Sequence, residues 1–388
     1  MREGWEYKKL GQVCTSDLGK TLNKSKDRGE LHPYLCSINI LWDKIDLSTL
    51  KQACFEAGEQ EKYTVRKGDL LVCEGGDTGR SAIWDRDETI LYQNALHRLR
   101  FHESVFPKFV LFYLMYLKDI GEIDNKYSKG VTIKHLVKKA LLSIPLPLPP
   151  KPTQLSIVSE LDKLNELIRI KKEQLKDYDT LAQSIFYEMF GDPVVNEKGW
   201  EVKTFGDIGT LERGAGISKK DFVEDGLPCV HYGQLHTTFG AYTRKNITFI
   251  PKDLFPKYKI AHPGDLILAI TSEDVEGSCK STAWLGDYDV VVGSDAAIFH
   301  HNQDGIYLSY YTRTKAFYNE KAKYAKGFKV THISTKEIAS ISICVPPLSI
   351  QNTFANKIEQ IERQKTIIQE SIADLETLLA SRMQYWFD

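Results

Sequence analysis

The chain carries one sequence pattern twice at nearly constant spacing, so its fold must accommodate two copies of one unit. GWEYKKLGQV (4–13) returns as GWEVKTFGDI (199–208). Gly68-Asp69-Leu70 returns as Gly264-Asp265-Leu266, and Tyr127-Ser128-Lys129-Gly130 as Tyr324-Ala325-Lys326-Gly327. His135 matches His332, Pro149-Pro150 matches Pro346-Pro347, and Gln154 matches Gln351. The offset moves only from 195 to 197 residues. Solenoid repeats run at about 20 to 50 residues, so each copy is long enough to be a domain with its own core. A chain of 388 residues can bury two such cores. Two like surfaces held in a fixed relation suit recognition of a two-part target.

Each copy divides into two unlike parts. The first is rich in Gly, Tyr and Phe, with short β-type runs such as Asp69-Leu-Leu-Val-Cys73, Asp265-Leu-Ile-Leu-Ala-Ile270 and Val290-Val-Val292 between turn residues. This predicts short strands with a few helices, an α+β globule. Phe109 to Leu117 reads as a buried helix after Pro107. A proline stop then closes each globule: Pro145-Leu-Pro-Leu-Pro-Pro150-Lys-Pro152 and Val345-Pro-Pro347. Proline disfavours helix just before it and pre-sets φ for a helix entry just after it, so the boundary is well marked.

Beyond the stop, Ile157, Leu161, Leu164, Ile168, Lys171, Leu175, Tyr178, Ala182, Ile185 and Met189 step alternately by four and three. Phe354, Ile358, Ile361, Lys365, Ile368, Ile372, Leu375, Leu379, Arg382 and Trp386 repeat the pattern. Heptads sustained this long make a coiled-coil seam. Leu161, Leu164, Ile168 and Leu175 are expected to meet Ile358, Ile361, Ile368, Ile372 and Leu375, with Lys171 and Lys365 each breaking its own stripe at one point. Pairing with a second molecule is the competing arrangement, but helices tethered in one chain meet at higher effective concentration. The expectation is an antiparallel coiled coil, with segments 1–150, 151–190, 191–347 and 348–388 as globule, helix, globule and helix.

Several function classes lack their residues. The opening MREGWEYKKL is polar and no apolar run reaches the roughly 20 residues a membrane span needs. Seven scattered cysteines, none spaced Cys-x-x-Cys, fit neither a disulfide framework nor a zinc site, and a reducing cytoplasm is the expected compartment. There is no Asn-Pro-Pro-Tyr-like methyltransferase motif and no Gly-x-Gly cofactor loop after a clean strand. Gly75-Gly-Asp-Thr-Gly-Arg-Ser81 only faintly resembles a phosphate loop, with Glu74 at its first glycine position and Arg80 for lysine. His300 and His301 are adjacent, so on a strand they face opposite ways and cannot share a metal. No enzyme, cofactor or metal site is expected. Net charge is −1, but Lys315, Lys321, Lys323, Lys326 and Lys329 crowd one stretch, and local faces rather than totals attract phosphate.

Globule, proline stop, glutamine and long helix, then all four again, resembles the specificity subunit of Type I restriction-modification systems. The residues carrying the likeness are Trp5…Leu10-Gly11 and Trp200…Phe205-Gly206, the paired Gly-Asp-Leu strands, and Gly79-Arg80 after a glycine-rich turn. To these are added Ile144-Pro-Leu-Pro-Leu-Pro-Pro150 and Ile343-Cys-Val-Pro-Pro-Leu348, with Gln154 and Gln351; the likeness covers the whole chain. It implies two target-recognition domains, 1–150 and 191–347, each reading one half of a bipartite, asymmetric site in double-stranded DNA. The helices 151–190 and 348–388 would be a spacer and a platform for two methyltransferase subunits and, with them, restriction subunits. Those partners would bind S-adenosylmethionine, flip an adenine and methylate it. One departure is that no helical arm precedes the first domain and the last helix stops at Trp386-Phe387-Asp388, so no contribution from further terminal segments is expected. Rival readings are a specificity module of a related phage-defence or fused-type modification system, a coiled-coil scaffold that binds no DNA, and a methyltransferase or nuclease in its own right.

Base reading needs donors and acceptors on loops that reach a groove. Three places per globule qualify. The first lies after the Pro-x-Leu/Val run: Ser37 and Asn39, then His231, Tyr232 and Gln234. The second lies after Gly-Asp-Leu: Asp77, Thr78 and Arg80, then Thr271, Ser272, Glu273 and Lys280, with the carboxylates of Glu273 and Asp274 as acceptors for cytosine amino groups. The third is the Tyr-x-Lys-Gly turn: Lys129, Thr132 and Lys134, then Lys326, Lys329 and Thr331, whose lysines suit phosphates better than bases.

Overall fold

The Gly-Asp-Leu runs lead into strands buried on both faces, Leu70–Cys73 and Leu266–Ala269. Side chains alternate across a strand, so such a run must be covered on two sides. Leu70 and Val72 enter a core with the helix Pro107–Asp119, whereas Leu71 and Cys73 enter another with Leu35, Trp84 and Tyr92. Leu266 and Leu268 likewise face Phe205, Phe299 and Tyr307, while Ile267 and Ala269 face Val230, Trp284 and Val292.

The structure, a computed structural model, describes residues 4–23, 27–130, 134–217, 219–252, 258–325 and 330–388. It forms two compact units: unit 1 is Met1–Lys172 with Glu370–Asp388, and unit 2 is Glu173–Gln369. Unit 1 has an antiparallel sheet in the order Cys14–Leu18, Leu96–Phe101, Leu70–Cys73, Ser81–Ile83. Its second sheet runs Lys51–Phe55, Glu30–Leu35, Ile90–Tyr92, Thr64–Val65, with a parallel pair in the middle. Unit 2 repeats both orders. Gly209–Arg213, Ala296–His301, Leu266–Ala269 and Ser281–Trp284 form one sheet, which gains a fifth strand, Tyr242–Thr243. Thr248–Ile250, Leu227–Val230, Val290–Val292 and Ile260–Ala261 form the other, again with a central parallel pair. In each unit the opening run pairs with the proline stop: Glu6–Lys9 with Pro145–Leu148, and Glu201–Thr204 with Ser342–Val345.

The long helices are Lys151–Phe190 and Leu348–Phe387, and the unit boundary falls inside both, so each unit holds the start of one and the end of the other. Within unit 1 the two segments run antiparallel: Lys172 pairs with Glu376 at 2.7 Å, and Glu160 with Arg382 and with the Trp386 indole N–H. Within unit 2, Asp179 pairs with Lys365 at 2.8 Å, and Phe186 and Phe190 pack on Phe354. Phe387 closes unit 1 against Phe109, Tyr113 and Tyr116, as Phe190 closes unit 2 against Tyr307. Burying such a ring is worth about 1.5–3 kcal/mol. Of the expected seam residues, Leu161, Ile168, Ile358, Ile361, Ile368 and Ile372 are buried, and Leu164, Leu175 and Leu375 are half-buried.

Two repeated devices set the frame. Gln154 is fully buried; its Oε1 accepts from the Phe106 N–H and its amide donates to the Ser104 and Pro149 carbonyls. Gln351 does the same with the Asp304 N–H, the Pro346 carbonyl and Gln303 Oε1. Both glutamines thus join the start of a globule helix to the proline stop. At the Gly-Asp-Leu turn, Gly68 (φ +88°) and Gly264 (φ +100°) take the left-handed conformation that favours glycine. The next residue, an aspartate, is buried: Asp69 accepts a two-pronged bond from Arg100 at 2.7 Å, and Asp265 accepts from His300 at 2.8 Å. Trp84 and Trp284 hold the turn through their backbones, each accepting from the glycine N–H and donating to the aspartate carbonyl, and each donates its indole N–H to a carbonyl four residues on.

Candidate nucleic-acid interface

The first loops are tight turns capped by their own side chains. Asn39 is fully buried; its Oδ1 accepts from the Cys36 N–H at 2.9 Å, and its amide donates to the Asp46 carbonyl and Thr49 Oγ1. Gln234 stands in the same place in unit 2, accepting from the His231 N–H at 2.9 Å and donating to Thr248 Oγ1. The exposure a base reader requires is therefore absent at both, because satisfying a buried turn uses every polar atom. His231 is buried too; its Nδ1 accepts from the Gly233 N–H, and burial lowers its pKa, with Lys219 adding to the effect. Ser37 and Tyr232 stay half-buried at the surface.

The second loops are braced from below. Arg80 donates to the Ser37 carbonyl at 3.0 Å and Lys280 to the His236 carbonyl at 2.7 Å, so in each unit a cation ties the second loop to the first. Lys118 donates to the Thr78 carbonyl, and Lys321 to those of Ser278 and Glu276. Lys321 is only 4% exposed and burial lowers its pKa, so it is a strut and not part of an open basic face. Thr78 is also buried, donating to Asp124 at 2.8 Å, and Asp77 is held by Lys118 at 2.8 Å. Arg80, Lys280, Thr78 and Asp77 thus hold the loop that was expected to present them. The struts Lys118 and Lys321, and the Trp84 and Trp284 anchors, escape a reading by motif.

Where the braces match, the tips differ. Gly79 returns to Cys73 six residues on, whereas Cys279 returns to Ala269 ten residues on, each through a backbone N–H···O bond. The longer tip forms a strand, Thr271–Ser272, paired with Thr331–His332; unit 1 has a single bridge there, Gly75 with His135. Around this tip unit 2 opens a cleft of about 740 Å³ lined by Tyr232, His236, Thr237, Thr271, Ser272, Glu273, Asp274 and Val330, among others. The structure therefore brings Tyr232, Thr271, Ser272 and Glu273 together and leaves Lys280 outside that lining. Glu273 is exposed, and one Asp274 oxygen is taken by the Gly277 N–H. In the third turns Lys129 is exposed, Lys134 donates to the Asp124 carbonyl, and Thr331 is buried. Thr132, Lys326 and Lys329 lie outside the described residues. Among the described residues no group of three or more His, Cys, Asp or Glu could hold a metal ion. No helix among them is long and apolar enough to cross a membrane.

The family model for the Type I restriction modification DNA specificity domain matches residues 2–177 and again 197–377. The Type I restriction enzyme MjaVIII specificity subunit of Methanocaldococcus jannaschii is 23% identical over 382 residues, covering 93% of this chain and 86% of that protein. The MjaIX specificity subunit of the same organism is 30% identical over 243 residues, 56% of this chain and 54% of that protein. Among solved structures, a chain from work on complex assembly and conformational transition of the type I R-M system superposes with a TM-score of 0.63 at 19% identity, covering 100% of this chain and 98% of that one. The S subunit of a Type I restriction-modification system from M. genitalium gives 0.54 at 13% identity, covering 99% and 96%. At these identities the structural likeness speaks for the fold.

Proposed function

Because this chain belongs to the Type I restriction-modification DNA specificity family and carries two copies of its domain, we propose that each unit reads one half of an asymmetric bipartite site in double-stranded DNA. It is a non-catalytic specificity subunit, with catalysis carried by other subunits. One observation supports the two-half reading above others: matching braces, a cation on a first-loop carbonyl in each unit, carry tips of different length and composition. Equal supports fix where a loop stands, and unequal tips give each half its own readout. Unit 2 offers Glu273, Ser272, Thr271 and Tyr232 to bases; unit 1 offers Ser37 and its glycine-rich turn, with Lys129 on phosphate.

The long helices are then the spacer between the halves and the platform for partners. Support for a platform comes from apolar side chains exposed at matched points off the buried seam. Ile170 and Leu378 do so in unit 1, Ile367 and Leu181 in unit 2, at 38 to 57% exposure. A duplicated apolar face suits two copies of one partner, here a methyltransferase subunit, through which restriction subunits join, in the cytoplasm. The test is to assemble the chain with its methyltransferase subunit and map methylated sequences. Glu273→Gln is expected to relax one position in one half only. Relaxation in both halves, or in neither, would contradict the assignment.

A further inference from the structure

Unit 2 has a second cleft, of about 730 Å³, between its long-helix segments and the edge of its five-stranded sheet. Lys280, Arg313 and Lys315 line it, with Tyr310 and Tyr318. Lys280 is held by the His236 carbonyl at 2.7 Å, and Arg313 by the carbonyls of Gly240 at 3.2 Å and Ser281 at 3.0 Å. These partners are neutral, and among the described residues Lys280, Arg313 and Lys315 form no ion pair. Burial lowers the pKa of Lys280, and the nearby charge of Arg313 acts in the same direction. Of the lining carboxylates, Asp179 and Glu362 are bonded to Lys365 at 2.8 and 2.9 Å and Glu362 also acts on Arg313, so with Glu276 three acids stand against the four cations Lys280, Arg313, Lys315 and Lys365. Like charges gathered in one cleft repel unless an anion lies among them.

The feature is particular to unit 2. Counted from the matched helix starts, Phe106 and Asp304, the apolar Met115 of unit 1 stands where unit 2 has Arg313. Arg80, the counterpart of Lys280, has Asp77 at 3.8 Å. Beside the cations of unit 2, Tyr310 offers a ring already 5.7 Å from the Arg313 guanidinium, and Tyr318 is 37% exposed. Arginine matches phosphate oxygens in pairs, and tyrosine faces stack on planar bases.

We propose that this cleft binds a phosphate-bearing ligand of about nucleotide size, with Arg313, Lys280 and Lys315 on the phosphates and a tyrosine face against the base. The site adjoins the recognition cleft, sharing Glu276 with it, but opens on the long-helix side and does not depend on the DNA-reading role above. Free nucleotide and DNA backbone share the required chemistry, and titration separates them. The full chain is titrated calorimetrically with pyrophosphate, with ATP, and with a short duplex lacking any recognition sequence. Pyrophosphate and ATP binding at one per chain identifies a free ligand. Binding of the duplex alone, with neither pyrophosphate nor ATP bound, identifies backbone phosphate and would overturn the nucleotide site, because a duplex keeps its base faces stacked away from the tyrosines. Lys315→Gln, at an exposed side chain, is expected to weaken binding about tenfold, one charged contact's worth. Arg313→Met, the unit 1 residue, is expected to weaken it further with the circular dichroism spectrum unchanged. Failure of all three probes to saturate, or affinities that Lys315→Gln leaves unchanged, would overturn the proposal. Methylated-sequence mapping of Lys315→Gln is expected to match the wild type, which keeps this test separate from that of DNA reading.

Discussion

Unit 1 and unit 2 solve the same turn with different chemistry. Arg100 forks onto Asp69 in one; His300 meets Asp265 in the other, and the next strand residue is Phe101 in one and His301 in the other. A left-handed Gly79 closes the loop in unit 1, where unit 2 closes its longer loop with Cys279 at φ +58°. Yet Gln154 and Gln351 make the same joint with the same kinds of partner. The joints that hold a globule to its helix stay fixed, while residues around the tips drift, so the two units share a scaffold but not a surface or a pH response.

The shared joint is the place where a substitution should cost most, and equally in both units. Gln154→Ala and Gln351→Ala each leave an N–H and a carbonyl buried without partners, at about 3–5 kcal/mol. Urea unfolding of each variant measures this, and costs differing by more than about 2 kcal/mol would break the equivalence. Next comes acid. Burial, the largest cause, lowers the pKa of His301 from its usual value to about 4, the Gln303 N–H donating to its Nδ1. The unfolded chain takes up this proton first, near about pH 6.5. His301 therefore stabilises unit 2 fully above that pH and loses its contribution as pH falls toward 4, about 3 kcal/mol in all. His301→Phe, which copies unit 1, should flatten the fall in urea midpoint between neutral pH and pH about 4.5.

Smaller effects sharpen the contrast further. Gly79→Ala places a Cβ 2.8 Å from Ile123 Cγ2 at φ +84°, and a loss of about 2 kcal/mol in unfolding free energy is expected. Cys279 tolerates the same backbone region because its side chain fills the core instead of meeting it. Smallest is His262, whose bond to Asp289 raises its pKa. That contribution is complete below the unfolded value and disappears as pH rises through the folded one. The side chain is 58% exposed, so after solvent screening only a few tenths of a kcal/mol are expected, read as a difference between wild type and His262→Gln in midpoints at pH about 5.5 and 8.

Much of the frame was legible in the chain. Strict spacing of Gly-Asp-Leu, Pro-Pro and glutamine marked two globules, and four-three stepping marked the helices, because these signals are local and survive duplication. The Trp84 and Trp284 anchors were hidden because the longer tip of unit 2 shifts their offset to 200. Asn39 and Gln234 look like readers in a sequence because polar side chains in loops suit base contact. Their burial is a tertiary fact, although Cys36-x-x-Asn39 and His231-x-x-Gln234 share the spacing of a capping box. Lys321 misled in the same way: a lysine among lysines reads as a basic face until the carbonyls beneath it are seen.

One exchange bears most directly on the claim that each scaffold reads its own half-site. Residues 1–150 are replaced by the matching globule of a relative with a known target, and methylated sequences are mapped after assembly with the methyltransferase subunit. The expected result is a new sequence in one half, with the other half and the gap unchanged. A change in both halves would show that the two globules do not read independently, contradicting the claim.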